Sequence, residues 1–130
     1  MFYDIEGPIQ EFSWGKFVIA GMEHSKSFQG KVGAGKDIRL IGTEVSKWKE
    51  RQGHLLSEEM VTRVFDRNIE TLIIGLGASG ALECPESVEK YIKEQGIDEV
   101  ILLKTQDACK KYNELYHSGK KVALLAHGTC

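Results

Sequence analysis

Three short apolar runs restrict the architecture of this chain more than any other feature. They are Thr71 to Ile74, Val100 to Leu103 and Val122 to Ala126. Each is too short for a helix and apolar at consecutive positions, the pattern of a strand covered on both faces. Between the first two, Pro85 suits the first position of a helix whose Val88, Tyr91 and Ile92 share a face and whose exit is Gly96. Between the second and third, Thr105 is placed to cap a helix carrying Ala108, Tyr112 and Leu115 and ending at Ser118-Gly119. The order is β-α-β-α-β. Either helix is long enough for a right-handed crossover, so the three strands are expected to be parallel neighbours.

The N-terminal half has a different texture. Ile9 to Phe12 and Lys16 to Ala20 flank Ser13-Trp14-Gly15, a hairpin signal. A second strand pair is expected at Phe28 to Val32 and Asp37 to Ile41, joined through Gly33-Ala34-Gly35. Residues 42–56 carry no clear period and are expected to form a long loop. Ser57, Glu58 and Glu59 open an expected helix with Met60, Val61, Val64 and Phe65 on one face and its end near Asn68. At 130 residues the chain suits one domain, 1–56 mainly β and loop and 57–130 α-β-α-β-α-β. The expected fold class is α/β, in three layers: a mixed β-sheet, helices packed on it and an extra β layer from the N-terminal half.

Seventeen Lys and Arg against 19 Asp and Glu give a net charge of −2, so the electrostatic footprint of a dedicated nucleic-acid binder is missing. No apolar run approaches the roughly 20 residues of a membrane span, and the acidic start Met1-Phe2-Tyr3-Asp4 lacks the basic region of a signal peptide. A cytoplasmic chain is the expectation. Cys84, Cys109 and Cys130 lack the close spacing of a zinc site or a disulfide framework and are expected as free thiols.

Chemistry in such a sheet belongs at the C-terminal ends of the parallel strands. That edge carries Gly75, Gly77 and Ser79 after the first run, Lys104 and Thr105 after the second, and His127 and Thr129 after the third. Backbone N–H groups of the glycine loop and of two helix N-termini, with Lys104 adding positive charge, would suit a small anionic ligand. Small polar residues also make ordinary turns at strand ends, so both readings stay open. Gly75-x-Gly77-x-x-Gly80 spells a dinucleotide fingerprint, but Pro85 would break a helix begun at Gly77 and no acid follows Leu103. A nucleotide cofactor is therefore not assigned. His127 and Cys130, three positions apart, would project to opposite faces of an extended strand, which argues against a thiol–imidazole dyad. His127 and Thr129 share a face, so His127 is expected as a hydrogen-bonding lining residue. His24, His54 and His117 have no ligand-like spacing with acids or thiols, so no metal, cofactor or catalytic residue is assigned.

Ser13-Trp14-Gly15, Thr71 to Gly77, Ala81-Leu82, Tyr112-Asn113 and His127-Gly128-Thr129-Cys130 occur together and in order. In this the chain resembles the small α/β domain family that includes an adipogenesis-associated protein and a mitochondrial complex I assembly factor. The resemblance implies the layered fold above, no established catalytic activity, and members acting as assembly or regulatory factors through protein partners. It departs from the family pattern at Lys49: an Arg is expected after Trp48, ahead of Gly53 and His54, and a Lys would hold a carboxylate less well. The combined expectation is a non-enzymatic interaction, assembly or regulatory module, with a protein partner or self-association. The alternative is a binder of a small anionic ligand, or an enzyme, at the strand-end edge.

Overall fold

Alternation of side chains across strands explains how one central sheet serves two cores. In the computed structural model, which describes residues 1–25 and 35–130, a five-stranded mixed sheet has the order β6-β5-β9-β7-β8. Its strands are β5 (Asp37–Ile41), β6 (Glu44–Lys47), β7 (Thr71–Gly75), β8 (Glu99–Leu103) and β9 (Val122–His127). β7, β8 and β9 are parallel, and β5 runs antiparallel to β9. Ile73, Val122, Leu124 and Ala126 face one core; Leu72, Ile74, Ala123 and Leu125 face the other. This is the period-two division required of runs apolar at every position.

The first core is closed by a four-stranded antiparallel sheet, β1 (Phe2–Tyr3), β2 (Ile9–Ser13), β3 (Lys16–Ile19) and β4 (Met22–Ser25), together with helix α2 (Thr105–His117). Phe12 and Phe17 face each other across the hairpin and pack on the central sheet. The second core is closed by helix α1 (Glu86–Glu94), Trp48 and the segment from Leu56 to Ile69. The layered α/β architecture expected from the residues is thus present.

Two elements differ from expectation. The segment 42–56 is not all loop, because β6 pairs with β5 through a turn at Gly42, where φ is +61°. As the sheet's edge strand, with mostly exposed or half-buried side chains, β6 shows no clear period. The helix expected from Ser57 is instead two 3₁₀ turns, Glu58–Met60 and Thr62–Val64. The Met60 carbonyl accepts the Trp48 indole N–H at 2.7 Å, so the oxygen that would receive the Val64 amide in an α-helix is directed elsewhere. Val61 and Val64, three apart, stay on one buried face in either geometry. Smaller differences are that Pro85 precedes the first residue of α1 and that Thr105 is the first residue of α2 rather than its cap. The strand expected at Phe28 to Val32 lies outside the described residues.

The Tyr112-Asn113 pair ties the layers together. Asn113 accepts the Ile9 N–H at 3.0 Å and donates to the Ile9 carbonyl at 2.8 Å and to Asp4 at 2.9 Å, replacing a missing strand neighbour. Tyr112 Oη donates to the Gly42 carbonyl at 2.7 Å. Asn113→Ala would leave a buried N–H and C=O unpartnered, and a loss of about 2 kcal/mol is expected from urea midpoints, against about 1 kcal/mol for Tyr112→Phe.

Candidate functional site

The C-terminal edge of β7, β8 and β9 does gather the residues placed there from sequence, but it joins most of them to one another. Thr105 Oγ1 accepts the Gly77 N–H at 2.9 Å and donates to the His127 carbonyl at 2.7 Å. Gly75 leaves room for that hydroxyl, since a Cβ there would lie 2.9 Å from it. Ser79 donates from Oγ and N to the Cys130 main-chain oxygen at 2.8 and 3.3 Å, and Ala81 N–H joins them at 3.0 Å. The first amide of α2, that of Thr105, donates to Gly77 O at 3.1 Å. The donors expected to cradle an external anion are therefore directed at the chain's own atoms, those of Ser79 and Ala81 at Cys130 and those of Gly77 and Thr105 mainly at each other. Lys104 is exposed at the start of α2, its stem running beside Gly80.

Within that segment a second cluster forms. Asp37 opens β5 and is the register partner of His127 at the end of β9. His127 Nδ1 lies 2.8 Å from Asp37 Oδ1, which also accepts the Gly128 N–H at 3.2 Å. Arg51 Nε donates to Asp37 Oδ2 at 2.7 Å, and its Nη1 donates to the Gly53 carbonyl at 2.6 Å. Burial raises the Asp37 pKa, but the hydrogen bonds from His127, Arg51 and Gly128 outweigh it and hold the carboxyl at about 2. Asp37 is therefore ionised near neutrality and accepts only, so the proton in the His127–Asp37 bond belongs to Nδ1.

Nε2 meets Thr129 Oγ1 at 3.3 Å, as the shared face of these two residues implied. The His127 ring also shares its surroundings with Cys130 and His54: one donor atom from each of His54, His127 and Cys130 lies within 4.8 Å of the others. Cys130 Sγ is 4.0 Å from His54 Nε2. Divergence of His127 and Cys130 requires the strand to continue to residue 130. β9 ends at His127, and a ring nitrogen of His127 and the Cys130 thiol lie within 4.8 Å of each other. The other thiols are in apolar surroundings, where burial raises the pKa of Cys84 to about 11 and pushes that of Cys109 up as well.

Asp37, Arg51, His54 and Cys130 are the site residues that sequence reasoning did not assemble. Asp37 leaves one trace, an acid at the start of an apolar strand. Arg51 fills the carboxylate-holding role expected of an Arg directly after Trp48; it stands two positions beyond Lys49, which is exposed. A further neighbour is the β2–β3 hairpin tip, where Gly15 N–H donates to the Gly128 carbonyl at 2.7 Å. Trp14 on that tip is 65% exposed.

Comparison with solved structures supports the architecture. A conserved hypothetical protein from Pyrococcus horikoshii aligns with a TM-score of 0.75 at 23% identity, over 94% of this chain and 98% of its own. A protein described as an outer membrane protein from Bartonella henselae aligns at 0.74 and 24% identity, over 95% and 96%. A Bordetella parapertussis protein aligns at 0.70 and 20% identity, over 92% and 93%. At these identities the likeness concerns the fold. No helix among the described residues is long and apolar enough to cross a membrane. The model of the proteins of unknown function DUF498/DUF598 matches residues 9–127, from the first residue of the hairpin to the histidine that Asp37 holds, and the chain belongs to that family.

Proposed function

We propose that this protein is a non-enzymatic interaction or assembly module that engages an apolar protein surface through the hairpin tip at Trp14. The observation that carries this reading is a large aromatic side chain, 65% exposed, on a tip whose backbone is tied to Gly128 at 2.7 Å. A rigidly mounted aromatic loses little conformational freedom on docking, which is why such residues dominate binding energy at interfaces. Tyr3, also exposed, pairs in register with Glu11 on the strand that leads to the tip. The resemblance to a family whose members with known roles act through protein partners supports the same reading.

Native mass spectrometry on protein gently isolated from its own host is the test. The wild-type chain is expected to retain a protein partner and Trp14→Ala to lose it, with stability unchanged to within about 0.5 kcal/mol. Equal retention by both would overturn the reading. A second reading, a small-molecule binder or enzyme at the C-terminal edge of the parallel strands, is favoured by the convergence of His54, His127 and Cys130. Its anion-cradling form is weakened by the Ser79 and Ala81 donors already directed at Cys130 O. A retained small-molecule mass lost on Cys130→Ser would establish this second reading.

A further inference from the structure

We propose that His54, His127 and Cys130 form a binding site for a borderline-soft divalent transition-metal ion of the Zn²⁺ class, with Asp37 and Arg51 as positioning residues. This goes beyond the docking role of Trp14 and does not depend on it.

The donor set is one thiol and two imidazoles, which selects such an ion over the hard, oxygen-seeking Mg²⁺ and Ca²⁺. Both oxygens of Asp37, the carboxylate that holds His127, are already engaged. A tetrahedral ion with nitrogen ligands at about 2.0 Å and sulfur at about 2.3 Å sets its donors roughly 3.3 to 3.6 Å apart. The Cys130 Sγ to His54 Nε2 separation is 4.0 Å, and all donor pairs lie within 4.8 Å. His54 is exposed on the loop after Gly53, so rotation of its side chain closes the difference without moving the sheet.

Orientation gives a second, independent argument. A histidine ligand commonly donates its other ring N–H to a carboxylate, which sets the tautomer and strengthens the ligating nitrogen. His127 has this arrangement, with Nδ1 on Asp37 at 2.8 Å, which leaves Nε2 as the nitrogen to ligate an ion shared with Cys130 and His54. Arg51 extends the frame, since one guanidinium holds Asp37 at 2.7 Å and the Gly53 carbonyl, next to His54, at 2.6 Å. Both imidazoles thus hang from one buried ion pair. The Thr129 hydroxyl, now 3.3 Å from His127 Nε2, would give up that long contact on metal binding and face the open fourth position. Three protein ligands and one open position match a site that binds a further ligand better than one that is purely structural.

The test is a titration of the chelator-stripped full chain with Co²⁺ alone, followed by displacement with Zn²⁺. The expected result is stoichiometric binding with the visible bands of tetrahedral cobalt and a near-ultraviolet sulfur-to-cobalt charge-transfer band. Cys130→Ser should lose the charge-transfer band while Cys84→Ser keeps it. His54→Ala, which alters an exposed side chain and leaves the fold intact, should weaken binding at least about tenfold, and Asp37→Asn about 10- to 100-fold. Octahedral cobalt spectra, or binding unchanged in both Cys130→Ser and His54→Ala, would overturn the proposal. So would a Cys130 thiol that is alkylated at the same rate with and without Zn²⁺, the behaviour of a nucleophile rather than a ligand.

Discussion

Gly128→Ala is expected to destabilise the protein by about 3 kcal/mol or more, the upper part of the range for overpacking a rigid site. A Cβ at this position would overlap the Lys36 carbonyl and lie 3.0 Å from Phe17 Cε2. The first neighbour is backbone, directly before β5, and the second is a fully buried ring in the first core, so neither can yield cheaply. Gly119→Ala is the matched control. No atom lies within 4 Å of its would-be Cβ, and only its φ of +87° penalises alanine, by about 1 kcal/mol. Urea midpoints at constant slope would separate the two. Equal losses would mean that the approach of Gly128 to Lys36 is not what holds the 127–130 segment.

Asp37→Ala is the second substitution with a large expected effect, again about 3 kcal/mol. It strands the Arg51 guanidinium, His127 Nδ1 and the Gly128 N–H, with the Asp37, Arg51 and His127 side chains only 9, 15 and 3% exposed. Breaking a largely buried ion pair by removing one partner costs far more than the pair itself contributes. Differential scanning calorimetry should record a fall of about 10 °C for a chain of this size.

The same carboxylate predicts an acid limb. Its folded pKa of about 2 lies below its ordinary 3.8, so the folded state binds the proton more weakly than the unfolded chain does. The resulting stabilisation, about 2 kcal/mol, is fully present above pH 4 and is lost as pH falls through 4 toward 2. Asp37→Asn should flatten that part of the stability–pH curve. An unchanged curve would show that Asp37 is not the group titrating there.

The wild-type hydrogen bonds also explain which parts of the site were legible in the residues. Gly75, Gly77, Ser79, Thr105 and His127 were readable because each ends a strand, opens a helix or lies in the loop just after a strand in a β-α-β-α-β pattern, and the parallel pairing of β7, β8 and β9 brings such ends to one edge. Asp37 was not, because its place depends on β5 pairing antiparallel with β9, a contact across 90 residues with no local signature. Arg51 and His54 depend in turn on Asp37, through the guanidinium that spans it and Gly53. The partners of the glycine loop are illegible for a related reason. A glycine loop rich in N–H donors has the same sequence whether its partner is a ligand or another part of the chain, and here it is the Cys130 oxygen.

Periodicity and local turn chemistry suffice for the β2–β3 hairpin, the three parallel strands, of which β7 and β9 are buried on both faces and β8 is a half-buried edge, and the two crossover helices. Hydrophobic alternation and glycine backbone freedom act over a few residues, so they are legible locally. The 3₁₀ turns after Ser57 depend on long-range packing, because a Trp48 indole from outside the segment takes the Met60 carbonyl. The tertiary structure also decided the association of Asp37, Arg51, His54, His127 and Cys130. Those contacts are set by strand order and by the approach of Gly128 to Lys36, and long-range packing of this kind leaves no period in the chain.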